Sequence, residues 1–260
     1  MLALLLRDYL ITRSYRAALA MDFAFGVINV LIYYFISETF EGAASKSLSG
    51  APSYFDFAVV GIVITMVVTA AGTGLARRTR EEQLTGTLEV LVAQPLRTAE
   101  LFAGLAALPF LLAGVRSIIY LLIAALFLGL ETSQTDWVGL GAILLATGAA
   151  MSALGMLAGA VVLVIKRGEV IVGALIMGMA LVGGAFFPIE VLPDWLQPLG
   201  EIVPTRFAYE GLRSALFQGS GWGNDAIVLL AFAAVFIPAA VWMCGRALAF
   251  ARRRGSLSQY

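Results

Sequence analysis

The sequence predicts an all-α membrane protein with six transmembrane helices, and three observations predict it. Of the 260 residues, 60% are hydrophobic and 13% charged, and the mean hydropathy is +0.91; a soluble domain has about a quarter of its residues charged. Six apolar stretches qualify as spans, a helix needing ~20 residues to cross ~30 Å of hydrocarbon at about 1.5 Å per residue. Arginine and lysine alternate between successive connections, as they do in chains that thread back and forth through a bilayer.

Residues 1–18 read as an interfacial helix. Leu2, Leu5, Leu6, Tyr9 and Leu10 keep i, i+3, i+4 spacing, while Arg7, Asp8 and Arg13 lie off that face. Asp8 and the interspersed arginines interrupt the apolar core that a cleavable signal peptide requires. The six spans are expected at about 21–38, 57–76, 109–130, 137–165, 170–187 and 226–248. Between the first two, residues 39–56 are rich in Ser, Gly and Ala with Pro52, an exposed connection. Span four is crowded with small residues, and its Gly155 and Gly159 form a G-x-x-x-G that favours close packing within the chain.

The basic residues set the orientation. Arg7, Arg13 and Arg16 precede span one, Arg77, Arg78, Arg80 and Arg97 lie between spans two and three, and Lys166 and Arg167 follow span four. With Arg246, Arg252, Arg253 and Arg254 these make thirteen on one side, against Lys46, Arg206 and Arg213 on the other and Arg116 within a span. An even number of spans with both termini in the cytoplasm satisfies the positive-inside rule.

Two connections carry more pattern than a loop needs. In residues 77–100, Thr79 with Glu82 matches a capping box and Arg78 with Glu82 stands at i, i+4, so a short helix is expected to begin there. Gly86 interrupts it; Leu88, Leu91 and Val92 then offer an apolar face, and Pro95 ends the run. Two readings stand side by side: a solvated loop against headgroups, or a helix that presents Arg78, Glu81 and Glu82 to a soluble partner. The second connection, residues 188–222, holds Pro188, Pro193, Pro198 and Pro204, which forbid one continuous helix, yet is too apolar for a free loop. Short helices dipping into the outer leaflet reconcile these facts, with Trp195 and Tyr209 at headgroup level and Arg206, Glu210 and Arg213 reaching water. Arg206 and Glu210 stand at i, i+4.

The two connections, in this order, resemble those of the permease subunits of type-2 ABC exporters, the family of drug, lipid and O-antigen export permeases. The first stretch, E-x-x-x-G-T-L-E-x-L-x-x-x-P-L, stands here as Glu82, Gly86, Thr87, Leu88, Glu89, Leu91, Pro95 and Leu96. The second, F-P-x-x-x-L-P-x-W-L followed by P-x-x-x-x-x-E-x-L-R, stands as Phe187, Pro188, Leu192, Pro193, Trp195, Leu196, Pro204, Glu210, Leu212 and Arg213. The resemblance implies a single permease domain over 1–260 that dimerises with itself or a paralogous permease and works with two copies of a separate ATPase subunit. It implies ATPase coupling by Arg77, Arg78, Arg80, Glu81, Glu82, Gly86 and Glu89. An extracellular re-entrant gate would include Phe186, Phe187, Pro188, Pro193, Trp195, Pro204, Arg206, Glu210 and Arg213. A substrate path along spans two and five would include Ile62, Thr65, Met66, Thr69 and Met177.

These expectations agree with what the residues exclude. The chain has no histidine, one cysteine (Cys244) and two lysines (Lys46, Lys166), neither lysine in a G-x-x-x-x-G-K-[ST] loop. No metal site, no catalytic group, no bound cofactor and no nucleic-acid partner are expected; ATP and Mg would belong to the partner subunit. The apolar path favours a drug-like compound or a lipid, with a lipid-linked glycan as the alternative. An intramembrane lipid-modifying enzyme would need carboxylates or a nucleophile on facing helices. A proton-driven transporter would need ionisable groups near the midplane, and Arg116 lies in the cytoplasmic third of span three. Snorkelling of Arg116 to the inner headgroups is favoured over a role in the path, with Asp22 placed to pair with it.

Overall fold

The computed structural model describes residues 2–14, 16–40, 48, 50–164 and 168–254. Lys46, Lys166 and Arg167, used above to assign sides, lie outside them. The described residues form helices and contain no strand. In chain order these are α1 (Leu2–Ser14), α2 (Arg16–Phe40), α3 (Tyr54–Gly72), α4 (Gly74–Leu84), α5 (Thr87–Ala93), α6 (Thr98–Phe127), α7 (Trp137–Val164), α8 (Gly168–Val182), α9 (Gln197–Ile202), α10 (Pro204–Arg213) and α11 (Trp222–Arg254). A 3-10 turn at Ile189–Val191 and a π turn at Ser214–Gln218 complete the set.

Among the described residues, five helices are long and apolar enough to cross a membrane: Arg16–Thr39, Tyr54–Leu84, Thr98–Phe127, Trp137–Leu163 and Trp222–Phe250. The stretch expected as span five forms α8, whose 15 residues reach about 22 Å, short of a full crossing. It stops because the chain turns at Gly183 and Gly184 instead of continuing to Phe187.

The buried axis of the bundle is α3. It starts with a capping box in which the Ser53 hydroxyl accepts from the Asp56 amide at 3.1 Å, and Asp56 accepts in return from the Ser53 amide, also at 3.1 Å. Phe57, Val60, Val63, Ile64 and Val68 are fully or almost fully buried, so helices pack around α3 on all sides. Small residues permit the closest approaches. A Cβ on Gly155 of α7 would meet the Ala71 carbonyl oxygen at 2.1 Å, and one on Gly61 would meet the Ala185 carbonyl oxygen at 1.8 Å. The G-x-x-x-G thus packs within the chain.

A second apolar cluster lies at the end that carries α1, α4 and α5, called here the basic end. There Leu75, Leu88, Leu91, Leu105 and Leu163 surround Cys244, which is fully buried and donates its S–H to the Met156 carbonyl at 3.0 Å. The opposite end, with α9 and α10, is called the lid end.

Two expected boundaries are corrected. The third span does not begin at Pro109: α6 begins at Thr98, where the Glu100 carboxylate accepts from the Arg97 amide at 3.2 Å. Burial of Leu101, Phe102, Leu105 and Leu108 then carries the helix through the proline. Nor does a helix begin at Thr79. The apolar residues Leu75 and Ala76 keep the chain helical after a single turn residue, Thr73, and Thr79 sits inside α4 with its hydroxyl donating to the Leu75 carbonyl at 2.8 Å.

Candidate functional site

At the basic end, α4 and α5 form an elbow. Gly86 closes α4 in the left-handed region at φ 73°, and nothing lies within 4 Å of where its Cβ would be, so the backbone conformation, and not crowding, calls for glycine. The chain re-enters a helix at Thr87, and Leu88 and Leu91 turn inward onto the second cluster.

Glu82 corrects the expectation that it faces outward. It is 7% exposed and takes Arg7 of α1 as partner at 2.6 Å, not Arg78; it also accepts from the Thr87 hydroxyl across the glycine turn. Arg78 pairs with Glu81 at 3.3 Å. Arg7 also holds Asp8 at 2.8 Å, and Asp8 is fully buried. One carboxylate therefore ties three segments together: α1, the end of α4 and the start of α5. The face left outward carries Glu81, Glu89 and two apolar tips, Leu84 (60% exposed) and Val90 (63%). Leu6, Tyr9 and Leu10 of α1 are also exposed, so the predicted apolar face of α1 points away from the protein.

At the lid end, the prolines start short elements as expected from their missing N–H. Pro188 precedes the 3-10 turn, Pro198 lies in the first turn of α9 and Pro204 opens α10. Arg206 and Glu210 pair at 2.9 Å. Trp195 is exposed, whereas Tyr209 is fully buried and shares a hydrogen bond of 2.9 Å with Thr65, which corrects its placement at headgroup level. Phe186 stacks on Tyr33 with centroids 5.3 Å apart, and its carbonyl accepts from the Tyr54 hydroxyl at 3.1 Å.

Arg213 departs furthest from expectation. It is 2% exposed and does not reach water. Its guanidinium donates to the carbonyls of Gly184 at 2.9 Å and of Phe57 and Ala185 at 3.4 Å, and lies 3.5 Å from the Phe57 ring centroid. A broken helix leaves carbonyls without amide partners, and one guanidinium nitrogen, Nη2, reaches the Gly184, Ala185 and Phe57 carbonyls together. Arg213 thus binds the broken end of α8 to the start of α3, next to the Gly61 contact.

Of the expected path residues, Ile62 is buried in the core, Thr65, Met66 and Thr69 are half-buried on α3, and Met177 is exposed on α8. Thr65, Thr69, Thr73, Arg77 and Glu81 recur at every fourth position; Thr65 bonds Tyr209, and the other four line one hollow that leads toward the elbow. That hollow, the burial of Asp8 and the bonds of Asp136 carry no mark in the sequence pattern. Asp136 accepts from the amides of Gly139 at 3.1 Å and Val138 at 2.9 Å and from the Trp222 indole at 2.8 Å, bonds that hold its carboxyl below the usual range. Arg116 meets Asp22 at 3.2 Å. Among the described residues no cluster of acidic, histidine or cysteine side chains could hold a metal ion.

Comparison with known proteins agrees with this architecture. The family model described as ABC-2 type transporter matches residues 2–217. The chain is similar to the protein named inner membrane transport permease YadH of Escherichia coli K12, at 25% identity over 223 residues, covering 84% of this chain and 83% of that protein. The YadH proteins of Escherichia coli O157:H7 and of Shigella flexneri match to the same extent. A match to 2–217 takes in the elbow, the lid and four of the five long apolar helices, and the chain belongs to the ABC-2 type transporter family, as a membrane permease of an ABC transporter.

Proposed function

We propose that this chain is the permease half of an ATP-driven exporter that moves an amphipathic or lipophilic substrate, a drug-like compound or a lipid, away from the cytoplasm. The basic end is cytoplasmic, in keeping with the positive-inside rule. The elbow of α4 and α5 docks on a separate ATPase subunit that carries ATP and Mg, two copies serving a dimer of permeases. Leu84 and Val90 anchor it, and Arg77, Arg78, Arg80, Glu81 and Glu89 form the charged rim. Glu82 acts from inside, holding the elbow to α1. The sixth crossing is made by α8 together with the broken segment 183–187, and α9 and α10 dip back into the outer leaflet as a lid over the path.

One observation carries this reading. The helical run Tyr54–Leu84 is interrupted at a single turn residue, and its far end is pinned by Arg213. Its 31 residues span about 46 Å, so a push on the elbow is delivered along one element to the lid. The test is purification of tagged protein from native membranes in mild detergent, with mass spectrometry of what accompanies it. A soluble subunit with a phosphate-binding Walker loop is expected at one copy per permease, and lost when Leu84 and Val90 are both changed to Asp. Absence of such a subunit, or its retention by the double variant, would overturn the docking assignment.

A further inference from the structure

Residues of α1, α2, α3, α4 and α6 line a cavity of about 750 Å³, open on one side, toward the basic end, within the range of roughly 300–1,000 Å³ typical of small-molecule sites. It lies inside one chain. Its lining has two charged stations separated by an apolar stretch. One station, on α4, is Arg77, Arg78 and Glu81; the other is Arg116 of α6 with Asp22 of α2. Between them stand Leu19, Ala70, Leu108, Pro109 and Leu112.

We propose that this cavity binds one anionic amphiphile, a molecule with a phosphate or carboxylate head and an aliphatic body, with the head on Arg116 and the body against Leu108, Pro109 and Leu112. Three arginines face two carboxylates here, which leaves the lining with one cation in excess. Glu81 is shared by Arg77 at 3.7 Å and Arg78 at 3.3 Å. The partner of Arg116 is a carboxylate whose side chain is 65% exposed, and they meet at 3.2 Å through one nitrogen. A guanidinium has five N–H donors in a fork that suits a tetrahedral or planar oxyanion, so an anionic head can take the free donors or displace the loosely held Asp22. The threonines do not compete for that head. The hydroxyls of Thr69 and Thr73 give their protons to the carbonyls of Thr65 and Thr69, both at 2.7 Å, and so present lone pairs to the cavity. An ionisable residue at membrane depth beside a cavity is a marker of a ligand route. The binding site does not depend on the export reading; only the question whether its occupant is cargo rests on that.

The test is native mass spectrometry of the purified full chain, titrated with dioleoyl phosphatidylglycerol or dioleoyl phosphatidylcholine. One phosphatidylglycerol per chain is expected, held about fivefold more tightly than the zwitterionic lipid, the size of one charge-assisted contact. Arg116→Gln should abolish that preference. Asp22→Asn should increase it by freeing Arg116, a gain that misfolding cannot imitate. Equal retention of the two lipids by the wild type, or a preference that neither substitution changes, would overturn the site. Because no ATPase is needed, a wild-type preference found in a chain that exports nothing would sustain the site and defeat the export reading. Export without the preference would do the reverse. With the complete transporter in vesicles, ATP-dependent depletion of labelled phosphatidylglycerol from the leaflet at the basic end marks it as cargo, and undiminished retention marks it as resident lipid.

Discussion

The helical run Tyr54–Leu84 ends in two places built on opposite principles. At the elbow, the buried charge of Glu82 is met by another side chain, Arg7, and the exposed surface is a mixture of carboxylates and apolar tips. At the lid, the buried charge of Arg213 is met by backbone carbonyls and an aromatic face. A side-chain pair can be exchanged or reversed as a unit. The carbonyls under a cation cannot be exchanged by mutation as a carboxylate can, and loss of the cation leaves broken-helix oxygens unpaired away from water. The elbow is the adjustable end, and the lid is the fixed one.

The largest effect that would break this contrast is expected at Arg213. Arg213→Leu should lower stability by about 3 kcal/mol, read as earlier thermal unfolding in detergent. Arg213→Lys should recover only part, since an ammonium keeps the charge and a donor nitrogen but not the planar face that lies over the Phe57 ring. Unfolding at the wild-type temperature in the leucine variant would show that the lid is not held this way. Next comes Glu82→Gln, expected to cost about 1.5 kcal/mol through loss of charge-assisted bonds. It should also release α1, seen as a broadened distance between spin labels on α1 and α6, and the reciprocal pair Arg7→Glu with Glu82→Arg should restore much of the order.

Gly86→Ala should cost about 1 kcal/mol, the penalty of holding a Cβ in left-handed backbone. With the ATPase subunit present, transport per ATP hydrolysed should fall more than stability does. Coupling unchanged from wild type would detach the turn from the mechanism. The smallest effect belongs to Arg206 and Glu210, a half-exposed i, i+4 pair worth under about 1 kcal/mol. Glu210→Gln should leave thermal unfolding nearly untouched, so a loss of transport in that variant would assign the pair to substrate release.

The long helices were legible because hydropathy over ~20 residues is a bulk property. The elbow was half legible. Gly86 and the apolar Leu88 and Leu91 announced the turn and the second helix, but the charges at 77–82 suggested a fresh start where the helix has already resumed at Gly74. Burial of Leu75 and Ala76 decided that, and burial is a tertiary fact. The surroundings of Arg213 were illegible for a different reason. Hydropathy sends an arginine to water unless an acid stands near, and its partners here are carbonyls, which every residue possesses and no sequence position marks. The burial of Asp8 was illegible likewise, because it depends on Arg7 being drawn to Glu82 across 75 positions.

The sole thiol of the chain lies fully buried with its proton on the Met156 carbonyl. The folded protein is therefore expected to be silent toward aqueous maleimides. A single cysteine introduced at Val90 or at Trp195 would then report by itself which aqueous compartment each end faces, without first removing anything native. Reactivity in the wild type, appearing only on heating, would serve as a clock for opening of the bundle between α7 and α11.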